Sequence, residues 1–226
     1  MKLLVVNADD LGYDPAIDQG ILEAHAEGLV TSATAMVDTP FAAAALRAAP
    51  ASLGLGLHAV LAPELDRAGA EAELRRQLAR FEALRGAAPD HLDSHKHAHA
   101  RPAIRDAFAA VAAERSLPVR AMDAPMRAAL RDAGVATTDH FLGDAALRPA
   151  WTEEALVAAL AGLPEGTTEL MAHPGHAPTH AVTTFGRARE VELRALVSPA
   201  AFAAIAAAGV RLSSFAGLRL STRVVR

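Results

Sequence analysis

A chain of 226 residues, 52% hydrophobic and 21% charged, can bury one sizeable core and is no disordered polymer. Its formal net charge of −4 excludes the basic stripe that a nucleic-acid binder needs. Cysteine is absent, which removes thiol catalysis, thiolate zinc sites and disulfides, so any metal must be held by His, Asp or Glu. Met1–Val6 is apolar but runs into Asn7-Ala8-Asp9-Asp10, too short and too acidic for a signal peptide. The Ala-rich stretches are broken well before the roughly 20 apolar residues that span a bilayer. A cytoplasmic protein with no transmembrane segment and no nucleic-acid partner is expected.

In chain order, short apolar runs alternate with longer Ala/Leu/Glu/Arg segments. Leu3–Val6 reads as the first strand. Asp14-Pro15 then caps and opens a helix over Ala16–Glu27, closed by Gly28. Strands are expected at Val30–Val37 and Leu53–Leu57. Pro63–Gly86 reads as a helix, with Leu74, Leu78, Phe81 and Leu84 at helical spacing. Pro102–Arg115 is a helix, Pro118–Ala121 a strand, and Trp151–Leu163 a helix whose first turn carries Glu153 and Glu154 near its positive end. Thr168–Ala172 is a strand, Ala200–Ala208 a helix opened by Ser198-Pro199, and Val210–Phe215 a last strand. Strand–helix alternation implies a parallel sheet in an α/β fold. The first strand leads into Asn-Ala-Asp-Asp and not a Gly-rich phosphate loop, which favours a distorted, TIM-like (β/α) barrel with outer helices over a nucleotide-binding open sheet. Gly86–Pro89 and Ala177–Gly186 read as loops, so residues 1–226 form a single domain. Chemistry should collect at the C-terminal ends of the strands.

Four such places carry candidate residues. Asp9-Asp10 puts two carboxylates side by side, a repulsion that a cation or proton relieves, although a turn with a helix cap also uses Asp. His58 ends the run Gly54-Leu55-Gly56-Leu57-His58; taken alone it is better read as a hydrogen-bonded structural histidine. His91-Leu92-Asp93-Ser94-His95-Lys96-His97-Ala98-His99 places four histidines and an aspartate at alternate positions, all on one side of an extended backbone. Pro89 and Pro102 flank the segment and favour that extended reading. Imidazole with carboxylate suits zinc or a similar divalent ion. Finally, Glu169–Ala172 ends on His173-Pro174-Gly175, a sharp turn that aims His173 at the sheet mouth. Together these are the parts of a metallohydrolase. Arg187, Arg189, Glu190 and Glu192 read as surface ion pairs at a helix start. Trp151 and Phe185 read as core or lid packing, and His25 as packing or solvent-facing.

Asn7-Ala8-Asp9-Asp10-Leu11-Gly12, Gly56-Leu57-His58, His91-x-Asp93-Ser94-His95-x-His97-x-His99 and Met171-x-His173-Pro174-Gly175 resemble, in order and spacing, the YdjC/ChbG family of carbohydrate deacetylases. The chain also resembles that family's hopanoid-biosynthesis-associated HpnK members. The resemblance covers nearly the whole chain, including Gly28–Thr34 and Arg189-x-x-Glu192-Leu193-x-x-Leu196. It departs after His58, where a polar stretch is replaced by Ala59-Val60-Leu61-Ala62-Pro63.

The resemblance implies a metal-dependent N-deacetylase, an amide hydrolase acting on an N-acetylated amino sugar in an oligosaccharide, glycoside or glycolipid. It implies a divalent ion, Zn²⁺ or Mg²⁺, held by Asp10, His58 and His95, with His97 as second choice because the end of that strand is not fixed by the sequence. It implies Asp9 as general base and His173 as general acid, with Asp93 orienting a ligand histidine. Another barrel metallohydrolase, such as a phosphoesterase, and a non-catalytic metal-binding protein stay open, as does a homodimer.

Overall fold

The computed structural model describes residues 1–143, 151–183 and 185–221. Residue 184, within the expected loop Ala177–Gly186, lies outside them. Helices and strands follow one another in mostly alternating order. The strands are β1 (Lys2–Leu11), β2 (Ser32–Ala35), β3 (Gly54–Ala59), β4 (Leu92–Ser94), β5 (His140–Leu142), β6 (Gly166–Ala172) and β7 (Val210–Ser213). The helices are α1 (Pro15–Ala26), α2 (Ala42–Ala48), α3 (Arg67–Arg85), α4 (Pro102–Arg115), α5 (Ala124–Asp132), α6 (Glu153–Ala161), α7 (Ala188–Leu196), α8 (Pro199–Ala207) and α9 (Phe215–Ser221).

All strand pairs are parallel, in the order β4-β3-β2-β1-β6-β5, with β7 beside the first half of β1. Lys2–Val5 of β1 pairs with β7, and Asn7–Leu11 with β2, so one long strand serves two neighbours on one side. Backbone hydrogen bonds continue beyond β4: Arg120 N–H donates to Leu92 O at 3.0 Å, and Val119 N–H to Ala136 O at 3.0 Å. Asp139 N–H in turn donates to Thr167 O of β6 at 2.8 Å. The core is one apolar cluster, with Leu4, Val6, Leu57, Leu92 and Leu170 from the strands packed against Ile17, Leu46, Leu78, Phe81, Phe108 and Leu156 from the helices.

Local chemistry sets the ends of the helices. Asp14 accepts from Ala16 N–H at the start of α1, Asp66 from Gly69 N–H at α3, and Thr152 from Ala155 N–H at α6. Gly86, at φ 78°, closes α3 in the left-handed cap that glycine allows.

Several expectations need correction. Helix α3 begins at Arg67 and not Pro63, because the Asp66 cap fixes its first turn. The segment 118–121 joins the sheet by a single bridge, Leu92 to Val119, since its backbone groups are divided between β4 and residue 136. The last strand stops at Ser213, and Phe215 starts α9. Elements α2, α5 and β5 had no expected counterpart. Among the described residues no helix is long and apolar enough to cross a membrane.

Candidate metal centre

The Asn7-Ala8-Asp9-Asp10 run lies inside β1, which continues to Leu11. In a regular strand Asp9 and Asp10 would point to opposite faces. Here the register with β2 shifts between Ala8 and Leu11, and Asp10 takes a left-handed φ of 74°. This bulge turns both carboxylates toward the strand mouth, at a strain of about 1–3 kcal/mol. Each then finds a different arginine.

Arg120, fully buried, meets Asp9 with both terminal nitrogens: Nη1 donates to Oδ2 at 2.8 Å and Nη2 to Oδ1 at 2.7 Å. The same Nη2 lies 2.9 Å from Asp93 Oδ2, and Nε donates to Glu169 Oε1 at 2.7 Å. Burial by itself would raise the Asp9 pKa, but Arg120, with His58 and His173, holds the carboxyl well below the usual carboxylate range. Arg189 from α7 takes Asp10, donating from Nη2 to Oδ2 at 2.5 Å.

That leaves Asp10 Oδ1, which is buried and has no hydrogen-bond partner. His58 Nε2 and His95 Nδ1 each lie 3.4 Å from it. One carboxylate oxygen and two imidazole nitrogens thus converge, all within 4.8 Å of one another. His58 is oriented from behind: Asp93 Oδ1 accepts from its Nδ1 at 2.7 Å, and Thr34 Oγ1 donates to Asp93 Oδ2 at 3.0 Å. A histidine ligand backed by a carboxylate is what metal sites use to fix the imidazole. Burial opposes protonation of His58, but Asp93 and Asp10 override it and push the imidazole up to about 10, so a proton competes with a cation for Nε2. The orphaned Asp10 oxygen, the two facing nitrogens and the N/O donor set fit a divalent ion. A second group, Asp9, His58 and Asp93, also has metal-ligand spacing. The Arg120 guanidinium already bridges its two carboxylates, so a cation fills that place.

His95 and His173 are 27% and 22% exposed, whereas His58, Asp9 and Asp10 are at most 4%, so the first two mark the open side. His173 follows β6, with Nε2 4.0 Å from Asp9 Oδ2. Glu192 holds its backbone N–H at 2.6 Å, and its ring lies against Phe185 at 5.0 Å. Burial, aided by Arg189 and opposed by Asp9 and Asp10, keeps the imidazole below its ordinary pKa.

The histidine-rich segment departs from the extended reading. Only Leu92–Ser94 is strand. His95–Ala100 is a 3₁₀ turn with Lys96 and His97 at φ 53° and 50°. The kink aims His95 at Asp10 and sends His97 elsewhere, its ring edge-on to Phe141 at 6.3 Å. His99 turns back onto Ser94, and His91 stacks on Phe215 at 3.9 Å while its Nε2 bonds Asn7 Oδ1 at 3.0 Å. The structure therefore brings together Asp9, Asp10, His58, His95 and His173, and leaves His97 out of the metal-ligand group.

Four contributors went unread in the sequence: Arg120, Arg189, Glu192 and Thr34. Arg189 and Glu192 are buried, not surface ion pairs. Their signal was present, since Arg189, Glu192, Leu193 and Leu196 share one helical stripe, and its apolar members required that face to be inside. Arg120 sits among Leu117, Val119 and Ala121, where a charge has to find partners. Trp151 packs into the core and donates from Nε1 to Met171 O at 2.8 Å, as expected, and His25 bonds Val30 O and Ser52.

A parallel α/β fold with a carboxylate and two imidazoles converging at its strand mouth defines a protein built around a candidate metal centre. The chain belongs to the YdjC-like family, whose model matches residues 3–70 and 63–207. It is 33% identical over 244 residues to a protein named carbohydrate deacetylase from Geobacillus stearothermophilus, covering 95% of this chain and 97% of that one. It is 35% identical over 253 residues to a chitooligosaccharide deacetylase from Serratia marcescens, covering 96% and 99%. Among solved structures it is similar to one from Enterococcus faecalis described provisionally as a cellobiose-phosphate cleavage protein. That match has a TM-score of 0.83 and 26% identity, over 96% of this chain and 98% of that one.

Proposed function

We propose that the chain is a metal-dependent hydrolase that removes the acetyl group from an N-acetylated amino sugar, built on a distorted (β/α) barrel with the seven strands of the described residues and segment 118–121 in its wall. The observation that carries this is the unpartnered Asp10 Oδ1 facing two imidazole nitrogens, with a second carboxylate, Asp9, beside it. The names of the Geobacillus and Serratia relatives supply the substrate class.

Asp10, His58 and His95 would hold the ion. One carboxylate with two imidazoles suits Zn²⁺ better than Mg²⁺, which prefers oxygen ligands. When bound, the ion polarises the acetyl carbonyl and acidifies a water. Asp9, kept ionised by Arg120, is placed to take the water's proton. Because Arg120 makes it a weak base, the proton does not rest there. His173, 4.0 Å from Asp9, is placed to carry it to the departing amine. The other metal-spaced group is taken by Arg120, which favours one ion over the two-ion site common in phosphoesterases.

The test is acetate and free-amine release, followed by mass spectrometry, from a panel of N-acetylglucosamine oligomers, glycosides and glycolipids. Zinc-loaded protein should release both in equal amounts, and Asp9→Asn should not. Zinc-loaded protein that releases acetate from no member of the panel would overturn the proposal.

A further inference from the structure

Arg120 has five N–H donors, and its terminal ones are divided between Asp9 and Asp93. Both acceptors lie at its outer end and engage only Nη1 and Nη2. The third contact lies at the inner end. Glu169 Oε1 accepts from Nε at 2.7 Å, fully buried, from the middle of β6. Register places Glu169 opposite Val5 of β1 and Phe141 of β5, and the Phe141 ring lies 5.7 Å from the guanidinium carbon. One carboxylate oxygen and one ring thus set the plane and rotation of the Arg120 head group.

We propose that Glu169 is a positioning residue, whose oxygen fixes Arg120 at Nε so that the guanidinium presents its paired N–H edge squarely to Asp9. This rests on the reading of Asp9 as general base. Glu169 itself touches none of the three proposed metal ligands. Its role is one of reach and not of charge. Burial, opposed by Arg120 and reinforced by Asp93, pushes the Glu169 carboxyl up to about 7, and its oxygen can accept from Nε in either protonation state. A glutamine offers the same oxygen at the same distance.

Two near-isosteric variants separate these properties. Glu169→Gln keeps the reach and loses the charge; Glu169→Asp keeps the charge and withdraws the acceptor by one methylene. Glu169→Gln should retain kcat within about threefold. Glu169→Asp should lose about 10²-fold in kcat, the scale of an ångström-level misplacement at a reacting group, with KM unchanged and bound zinc at the wild-type level. Independently of turnover, the Arg120 Nε–H resonance should stay protected from solvent exchange in the wild type and Glu169→Gln, and lose protection in Glu169→Asp. The opposite order, equal loss in both variants, or wild-type kcat in both would overturn the proposal. So would a loss of kcat that tracks a loss of zinc. Asp9→Asn, run alongside, tests the underlying reading separately: wild-type turnover there removes Asp9 as base, while the exchange measurement still reports whether Glu169 holds Arg120.

Discussion

Asp18 offers a measurement of how firmly the turn after the two site aspartates is held. It lies in the first turn of α1, is 8% exposed, and accepts from Gly12 N–H at 2.5 Å. Gly12, at φ 81°, turns the chain out of the sheet directly after β1 ends at Leu11. Burial raises the Asp18 pKa from 3.8 to about 7; the Gly12 hydrogen bond opposes the rise and the neighbouring Asp14 adds to it. The folded chain therefore binds this proton more tightly than the unfolded chain. Stability from this group is complete below pH 3.8, falls as pH rises from there to about 7, and levels off above. At about 1.36 kcal/mol per pKa unit, the loss between pH 5 and pH 8 is about 2–3 kcal/mol. Asn in this position keeps an oxygen for Gly12 and has nothing to ionise.

Asp18→Asn should therefore match the wild type near pH 5 to within about 2 kcal/mol and gain on it by a further 2–3 kcal/mol, roughly, at pH 8. Urea unfolding followed by the fluorescence of Trp151, the sole and nearly buried tryptophan, reads this directly. A chelator present throughout keeps metal linkage out of the comparison. Glu169 titrates in the same range, but it is common to both proteins and cancels in the difference. Parallel stability curves for the two proteins from pH 5 to 8 would refute the reasoning and show Asp18 to be ionised in the folded state.

Further outcomes are expected. His58→Ala and Asp10→Ala should each abolish bound zinc, measured by atomic absorption, along with activity; full occupancy in either removes that residue from the proposed site. Asp9→Asn should keep its zinc and lose at least about 10²-fold in turnover. If it loses the metal, the two aspartates have exchanged roles. Gly56→Ala should destabilise the fold by about 1–3 kcal/mol or more, because the added Cβ would land on the His91 ring, and a thermal shift no larger than that of a surface Ala substitution would contradict the packing.

Much of this was legible in the sequence, for identifiable reasons. Short apolar runs ending on Asp or His located β1, β3 and β6 with their mouth residues, because a parallel strand buried on both faces reads as a run of apolar residues. Asp14-Pro15 and Ser198-Pro199 placed two helix starts by local capping chemistry. The segment 91–99 misled because alternation was assumed to continue. Lys96 and His97 adopt left-handed backbone, which no residue type there announces, and the pattern that would align all five side chains ends at Ser94. The short elements α2 and β5 carry too few residues for a period to emerge.

The choice between Asp9 and Asp10 came only from the family resemblance and not from the residues themselves, and the reason lies far along the chain. Adjacent carboxylates on one strand are chemically equivalent until something distinguishes them. Here that is done by two arginines 111 and 179 residues away. Arg120 takes both oxygens of Asp9 and one of Asp93, and Arg189 takes a single oxygen of Asp10. That leaves Asp10 Oδ1 as the one oxygen of the two site aspartates with no hydrogen-bond partner, facing His58 and His95. A buried uncompensated carboxylate oxygen is costly, and a cation relieves it. On the proposed reading, the arginines select the carboxylate that would be left for the ion and keep the other as an ionised neighbour beside it.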